Sequence, residues 1–276
     1  MSLIKGLIPG RILEGLARYR FLTIQQLVRL GVGEEKGVRI RLQDLMTAKL
    51  IDRQEFRLGP SAGRLPNMHW LTPKGARFVA EAIGTPVEPP RAREINAAHA
   101  WHRMLVIDTL MACDTWAERT DQAWPVIRSY MQWRGNSPIT GVALPGKQAI
   151  ADAILETTDA AGNCRVYVLE VYCSQYSEGR SSFPLEQLEP FVLAGMGNAL
   201  DEALHIPANG KAGRILVVCD TVDLRDRLLR RLPERPGMPP REHQGWRRFH
   251  FKAADELHAF GADWHTVAGD RIALPA

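Results

Sequence analysis

The first 84 residues most constrain the fold of this chain, because their apolar residues repeat first at helical and then at strand-like spacing. Four apolar residues mark one face of a first helix: Ile12, Leu13, Leu16 and Ala17. Thr23, a residue suited to capping, opens a second helical run that stops at Gly31-Val32-Gly33. The chain is therefore predicted to begin with two short helices and a short turn.

A third helical run, over residues 34–50, is followed by two strand-like runs. Its apolar face consists of Val38, Leu42, Leu45 and Met46. Residues 51–58 and 68–71 predict strands joined by a turn at Gly59-Pro60-Ser61-Ala62-Gly63-Arg64. Thr72-Pro73 then opens a closing helix. Three helices followed by two strands predict a winged helix-turn-helix, a module that usually binds duplex DNA.

Candidate base-reading residues lie on another face of the third helix. Lys36, Arg39 and Gln43 are spaced i, i+3 and i+7, so they share that face. Arg39 can pair with guanine and Gln43 with adenine, whereas Arg41, off that face, is expected to contact phosphate. Arg64 in the turn is a candidate for the minor groove or the DNA backbone. The alternative is an ordinary solvated helix face.

Charge distribution favours the DNA-binding interpretation. Residues 1–93 contain 16 Lys and Arg against 8 Asp and Glu, a net charge of +8. Because the whole chain carries +4, the remainder carries −4. Basic charge concentrated in the predicted DNA reader provides a footprint for phosphates, although some winged helices serve only as protein contacts.

Length and composition predict a two-domain intracellular protein. The chain has 276 residues, of which 45% are hydrophobic, enough for a substantial core. Its four cysteines lie far apart without a CxxC pair, so neither a zinc site nor a disulfide framework is expected, and a reduced cytoplasm fits best. No apolar run reaches about 18 residues, so we expect no signal or membrane-spanning segment.

A proline-rich linker over 85–91 separates the predicted winged helix, 1–84, from a second domain, 92–276. The predicted elements of that domain follow one another in this order: helix 94–116, strands 126–133, 149–156 and 165–173, helix 184–203, strand 214–219, helix 224–232, strand 246–251 and a short helix from 253. This order predicts an α/β (α+β) fold with a mixed central sheet.

Two acidic residues in the second domain are candidates for metal binding. Asp152 and Glu170 fall within strands of an antiparallel-looking pair joined around residues 158–163. Carboxylates on neighbouring strands can converge on one Mg²⁺ or Mn²⁺, which in nucleases positions a water for attack on phosphorus. The alternative is that both acids are solvated or ion-paired.

Five segments in this order resemble the replication-relaxation family. They are Leu71-Thr72-Pro73-Lys74-Gly75, the helix bearing His99, Ala151-Asp152-Ala153, Leu169-Glu170-Val171-Tyr172 and Ile215-Leu216-Val217-Val218. The resemblance implies a winged helix fused to a PD-(D/E)xK domain, which is like that of restriction endonucleases. It also implies similarity to plasmid mobilisation and relaxase-like proteins of conjugative elements.

The resemblance also implies roles for individual residues. Asp152 would be the first metal ligand and Glu170 the second, while the next functional position, usually Lys and often acidic, falls on Tyr172. Tyrosine cannot supply the cation that steadies a pentacovalent phosphate. Lys147 and Arg180 are the candidates to replace that cation from neighbouring segments.

A second relaxase chemistry uses paired histidines and a nucleophilic tyrosine. His99 and His102 share a helix face, but no third ligand is apparent, so packing or capping is the favoured interpretation. Tyr172 and Tyr176 have no recognisable activating base or metal.

Two functions follow from these patterns. The first is a site-specific DNA-binding protein of a plasmid or integrative element that nicks or relaxes an origin with Mg²⁺ or Mn²⁺. The second is a non-enzymatic regulator, in which the winged helix holds an operator or origin and a degenerate nuclease-like domain serves dimerisation or docking. Candidate partners are duplex DNA, a second copy of the chain and proteins of a mobilisation complex, with no membrane.

Overall fold

The chain folds into two compact units of mixed helix and strand, confirming the α/β class. The computed structural model describes residues 7–57, 64–90, 99–144, 146–174, 183–206 and 210–274. Unit 1 comprises Met1–Asp108 and unit 2 comprises Thr109–Ala276.

Unit 1 contains three helices, a two-stranded antiparallel sheet and a fourth helix. Its elements are α1 (Ile8–Tyr19), α2 (Ile24–Arg29), α3 (Glu35–Thr47), β1 (Ile51–Arg57), β2 (Arg64–Leu71) and α4 (Pro73–Ile83). The β1–β2 register runs from Ile51 opposite Leu71 to Arg57 opposite Arg64. Thr23 caps α2 as predicted, since its hydroxyl accepts from the Gln26 N–H at 3.2 Å.

Two predicted boundaries in unit 1 were wrong. Helix α3 ends at Thr47 and not at residue 50, because Lys49 adopts a φ of 57° that a helix cannot continue. Strand β2 begins at Arg64 and not at residue 68, so Arg64 is the first residue of a strand. The rest of the predicted turn, residues 59–63, lies outside the described residues.

The segment Thr72–Gly75 joins the start of α4 to the end of α3. The Thr72 hydroxyl donates to the Lys49 carbonyl at 2.7 Å and accepts from the Gly75 N–H at 3.1 Å. The Lys74 ammonium donates to the Ala48 carbonyl at 2.9 Å. A Cβ on Gly75 would stand 1.8 Å from the Leu50 carbonyl oxygen, so only glycine permits this approach.

Helix α5 (Ala100–Arg119) contains the division between the units, which lies beyond the linker predicted from the sequence. Its first half belongs to unit 1 and packs on α2. The buried Gln26 amide donates to the Met104 carbonyl at 3.2 Å and to the Asp108 carboxylate at 2.7 Å. Arg29 donates to the same carboxylate at 2.7 Å. These contacts explain why residues up to Asp108 belong to unit 1.

Unit 2 is built on a seven-stranded mixed sheet of order β13-β12-β11-β10-β9-β8-β3. Its strands are β3 (Val126–Ser129), β8 (Ala153–Thr158), β9 (Cys164–Tyr172), β10 (Gly210–Cys219), β11 (Phe249–Ala253), β12 (Trp264–His265) and β13 (Arg271–Ile272). Strands β9, β10 and β11 are parallel, and the other pairs are antiparallel. The predicted mixed sheet is therefore present.

Helices and two small hairpins complete unit 2. These elements are β4 (Trp133–Arg134), β5 (Ser137–Pro138), β6 (Gly141–Leu144), β7 (Lys147–Ile150), α6 (Phe183–Gly195), α7 (Ala199–Ala203) and α8 (Val222–Arg231), with 3-10 helices at Gln244–Arg248 and Ala254–Ala259. Side chains from β9, β10, β11, α6 and α8 form one apolar core. None of the helices in the described ranges has the length and apolar character needed to cross a membrane.

Several predicted elements of unit 2 are interrupted. The predicted strand 126–133 stops at Ser129, because the Ser129 carbonyl accepts from the Gln132 N–H at 2.9 Å and turns the chain. The predicted strand 149–156 divides into β7 and β8, which pair in different sheets. The predicted helix 184–203 divides into α6 and α7, and the start of the predicted strand 246–251 is a 3-10 helix.

We expect Gly75→Ala to lower the free energy of unfolding by roughly 3 kcal/mol, because the new methyl would overlap a backbone carbonyl that cannot move independently of α3. Urea unfolding followed by circular dichroism measures this loss. Gly37→Ala is the matched control within α3, since its Cβ would make an ordinary 3.8 Å contact with the Ile8 side chain of α1 and should stabilise by about 0.5–1 kcal/mol. Equal effects of the two substitutions would show that the Gly75 approach is not required.

Candidate functional site

Helix α3 presents a continuous solvent-facing stripe on the side opposite its buried face. Val38, Leu42 and Leu45 are buried against unit 1. Five exposed side chains form the stripe, which we call the α3 stripe: Lys36, Arg39, Ile40, Gln43 and Thr47. Three of these, Lys36, Arg39 and Gln43, are the residues proposed from their spacing as base readers, and the helix leaves all three accessible.

The basic residues of α3 pair with neighbouring acids on the same helix. Arg39 donates to the Glu35 carboxylate at 2.6 Å, and Arg41 donates to the Asp44 carboxylate at 2.9 Å. All four side chains are about half exposed or more, so water screens both pairs and their net contribution to stability is small. Either arginine can therefore exchange its carboxylate for a phosphate or a base edge at little cost.

Ile40 is a member of the stripe that the sequence analysis did not identify. It stands one turn after Lys36 and is 51% exposed. The available signal was its position, because an apolar residue at 40 falls outside the buried spacing of Val38, Leu42 and Leu45.

Asp152 lies at the bend between β7 and β8, and not within a strand as predicted. Pairing of β8 with β9 ends at Ala153 opposite Leu169, and Asp152 is the next residue beyond this last pair, near Glu170. Its carboxylate Oδ2 accepts from the Val171 N–H at 2.7 Å, while its own N–H donates to the Leu169 carbonyl at 3.1 Å. The side chain thus replaces a backbone carbonyl where the ladder stops.

Glu170 is buried in β9, with 5% of its surface exposed. Its Oε2 accepts from the Tyr172 hydroxyl at 3.1 Å, and its Oε1 is buried without a hydrogen-bond partner in the described ranges. Burial, and then the nearby Asp152 carboxylate, raise the pKa of Glu170 well above its ordinary value. The two acids therefore stand close enough to repel each other, and Glu170 is poised to hold a proton.

Tyr172 occupies the position that the family resemblance usually gives to lysine, and it contributes a hydroxyl donor. Burial and the Glu170 carboxylate raise the pKa of Tyr172 well above its ordinary value, so it acts here as a neutral hydrogen-bond donor. None of the groups that shift the pKa of Glu170 is basic. Lys147 lies in β7 and lines a pocket with Glu186 and Glu189 of α6, whereas Arg180 is outside the described residues.

Asp220 is an acid at this sheet edge that the sequence analysis missed. It directly follows β10, and its Oδ2 accepts from both the N–H and the hydroxyl of Ser174 at 2.7 Å each. Its Oδ1 is buried, and no described residue forms a hydrogen bond with it. Burial, followed by the charges of Asp220 and Asp152, raises the pKa of Cys173. An acid placed between an apolar strand and a Thr221 helix cap was the signal available in the sequence.

The donor chemistry of Asp152 and Glu170 fits part of a divalent-metal site. Both supply hard oxygen ligands close to each other, and Glu170 Oε1 has no hydrogen-bond partner among the described residues. Within the described residues, no group of three His, Cys, Asp or Glu side chains is arranged to hold a metal ion. Water or a phosphate oxygen would therefore have to complete the coordination.

The histidine and tyrosine residues considered for the second relaxase chemistry do not form a described site. Burial lowers the pKa of His99, and the charge of the nearby His102 lowers it further. His99 immediately precedes α5 and is exposed. Tyr176 lies outside the described residues.

We expect Glu170→Gln to raise the free energy of unfolding at pH 8, because it removes a buried ionisable carboxyl whose pKa no basic group of the described residues lowers. The gain should be on the order of 1–3 kcal/mol and should shrink toward pH 5. The sign follows from the raised pKa: the wild-type fold is favoured while Glu170 is protonated and loses stability as the pH rises through its folded pKa.

Urea unfolding at pH 5 and pH 8 tests this expectation, with the exposed Glu186→Gln as the matched control. A pH dependence identical in wild type and Glu170→Gln would show that the Glu170 charge is compensated in the fold.

Comparison with curated proteins and with solved structures gave no match. A family model described as Replication-relaxation matches residues 13–172. The matched region begins in α1, includes the α3 stripe, Asp152 and Glu170, and ends with the last residue of β9. Since it covers more than half of the sequence, the chain belongs to the replication-relaxation family.

Proposed function

We propose that this protein binds a specific duplex DNA site on a plasmid or integrative element through unit 1. The observation that carries the proposal is the α3 stripe, an exposed helix face with basic and amide side chains. Unit 1 has the element order of a winged helix-turn-helix, with α3 as the recognition helix and β1–β2 as the wing. Membership of the replication-relaxation family supports a role in replication or mobilisation of such an element.

The position of the polar side chains along α3 supports major-groove binding. Lys36, Arg39 and Gln43 all lie in the first nine residues of the helix, and the N-terminal part of a recognition helix is the part that contacts base edges. The N-terminal region carries the net charge of +8 over residues 1–93, which suits phosphate contacts. Arg41, off the stripe, is suited to phosphate.

A second candidate function is divalent-metal-dependent nicking of the bound DNA by unit 2. The observation that favours it is the proximity of Asp152 to Glu170, together with a Glu170 carboxylate oxygen that has no hydrogen-bond partner in the part of the chain that the structure describes. An ion bound by these acids would activate water and neutralise charge on the phosphate. Glu170 must lose its proton to bind the ion, so the affinity for metal should increase with pH.

The competing role for unit 2 is non-enzymatic. Tyr172 gives Glu170 a neutral donor where a nuclease of this type would place a cation, and Asp152 serves the β-sheet by accepting from Val171. A domain in this state would serve dimerisation or docking on other proteins while unit 1 holds an operator or origin.

Arg39→Ala should weaken binding to the cognate site by about 1–3 kcal/mol, with a smaller loss on random duplex DNA, because it removes a base contact. Fluorescence anisotropy on both duplexes at one salt concentration measures the two losses. Arg77→Ala is the matched control, since it removes one exposed positive charge from α4. Equal losses on both duplexes would assign Arg39 to phosphate alone, and no loss on either would contradict DNA binding by the α3 stripe.

Nicking of supercoiled DNA carrying the cognate site, with Mg²⁺ or Mn²⁺, tests the second candidate. Asp152→Asn keeps a carbonyl oxygen for the Val171 N–H, so it removes the charge without removing the structural acceptor. We expect Asp152→Asn and Glu170→Gln to lose nicking by at least about 100-fold while retaining DNA affinity. The control is Glu186→Gln.

Calorimetric titration with Mg²⁺ provides a readout independent of cleavage. Heat of binding that is present in wild type and absent in Glu170→Gln supports a metal site. The absence of both nicking and binding with either metal would favour the non-enzymatic role.

A further inference from the structure

Ile40 gives the α3 stripe an apolar centre that the proposed hydrogen-bonding contacts do not use. Lys36 stands one turn before it and Gln43 nearly one turn after it, with Thr47 at the end of the stripe. About half of the Ile40 side chain is exposed to solvent. It is therefore surrounded on its helix face by groups suited to bind DNA.

The fold does not account for an isoleucine at this position. The side chain projects away from the buried face formed by Val38, Leu42 and Leu45, so core packing does not require it. Its branched β-carbon also lowers helix propensity relative to the straight-chain residues common on exposed helix faces. What Ile40 provides is a stiff apolar surface that would lose water when the stripe enters a groove.

We propose that Ile40 reads thymine by contacting its C5 methyl group in the major groove. This inference rests on the proposed DNA binding by unit 1. The thymine methyl is the apolar group that the four bases present in the major groove, and apolar side chains recognise it by contact. Lys36 and Arg39 place two basic side chains on the stripe, and the solvent-screened Arg39–Glu35 pair can be exchanged for a phosphate or a base edge, which favours DNA over an apolar protein surface.

The neighbour of Ile40 on the stripe specifies the context of that thymine. Gln43 is three residues further along the helix, so its side chain reaches out next to that of Ile40. A glutamine is suited to the N6 and N7 groups of adenine. Ile40 and Gln43 together therefore select adjacent base pairs in which a thymine methyl and an adenine edge both face α3.

Replacement of thymine by deoxyuridine tests the inference, because it removes the methyl and keeps every hydrogen-bonding group of the base. The full chain is first used to select its preferred duplex from a randomised pool. Each thymine of that duplex is then replaced in turn, and affinity is measured by anisotropy. We expect one or two positions to lose about fourfold in wild type, the loss expected for one buried methyl group.

The variant Ile40→Ala should bind the thymine and deoxyuridine duplexes equally at those positions. Leu193→Ala, which truncates a similarly exposed aliphatic residue on α6, should keep the wild-type preference. Because position 40 is exposed, alanine there preserves the helix, which circular dichroism verifies.

Each result bears on the inference separately from the proposed function. Site-specific binding with no sensitivity to any thymine methyl would overturn the role of Ile40 and leave DNA binding by unit 1 intact. A thymine preference that persists in Ile40→Ala would also overturn it. Failure to select any sequence, together with unchanged affinity of Lys36→Ala for random duplex, would overturn the proposed function itself. Loss of self-association in Ile40→Ala without a change in DNA affinity would assign the residue to an interface between copies.

Discussion

The carbonyl groups of the three residues that follow α3 accept hydrogen bonds from the start of α4, and these bonds anchor the C-terminal end of α3. Ala48 and Lys49 accept from the side chains of Lys74 and Thr72, while the Leu50 carbonyl accepts from the Thr72 N–H at 3.0 Å. The carbonyl of the C-cap residue Ala48 has no partner within the helix, so Lys74 both satisfies it and places a positive charge at the negative end of the dipole. Helix α3 is thus held at its C-terminal end, away from the side chains that face solvent.

The hydrogen-bonding groups of Asp152 and Glu170 in unit 2 are satisfied less completely than the carbonyls after α3. The cost of burying these two carboxylates is offset only in part. Asp152 is hydrogen-bonded to the backbone of β9, whereas one carboxylate oxygen of Glu170 has no hydrogen-bond partner among the residues that the structure describes. An unsatisfied buried carboxyl costs free energy in a resting fold, and a bound cation or a retained proton are the two ways to reduce that cost. The two roles proposed for unit 2 differ at this point: a nuclease would bind a cation at Glu170, and a regulator would keep Glu170 protonated.

Local signals in the sequence were sufficient for part of this structure and insufficient for the rest. The Thr23 and Thr72 caps and the spacing of α3 are determined by neighbouring residues, so they could be predicted. The division of the run 149–156 depends on pairing partners far away in the chain, because β7 joins β6 and β8 joins β9. The burial of Glu170 likewise comes from tertiary packing, which leaves no periodic mark in the sequence.

The Asp152 side chain acts as an acceptor where a backbone carbonyl would otherwise serve. This limits what an aspartate at the same position in a related protein says about catalysis. The sheet would need an acceptor for the Val171 N–H even in a chain that had lost all phosphodiester chemistry. An aspartate at this position in a relative is therefore a poor guide to whether that relative cleaves DNA. The more informative residues are Glu170 and Tyr172. A basic side chain at 172 would form an ion pair with Glu170 and favour its ionised form, whereas tyrosine leaves Glu170 with a raised pKa.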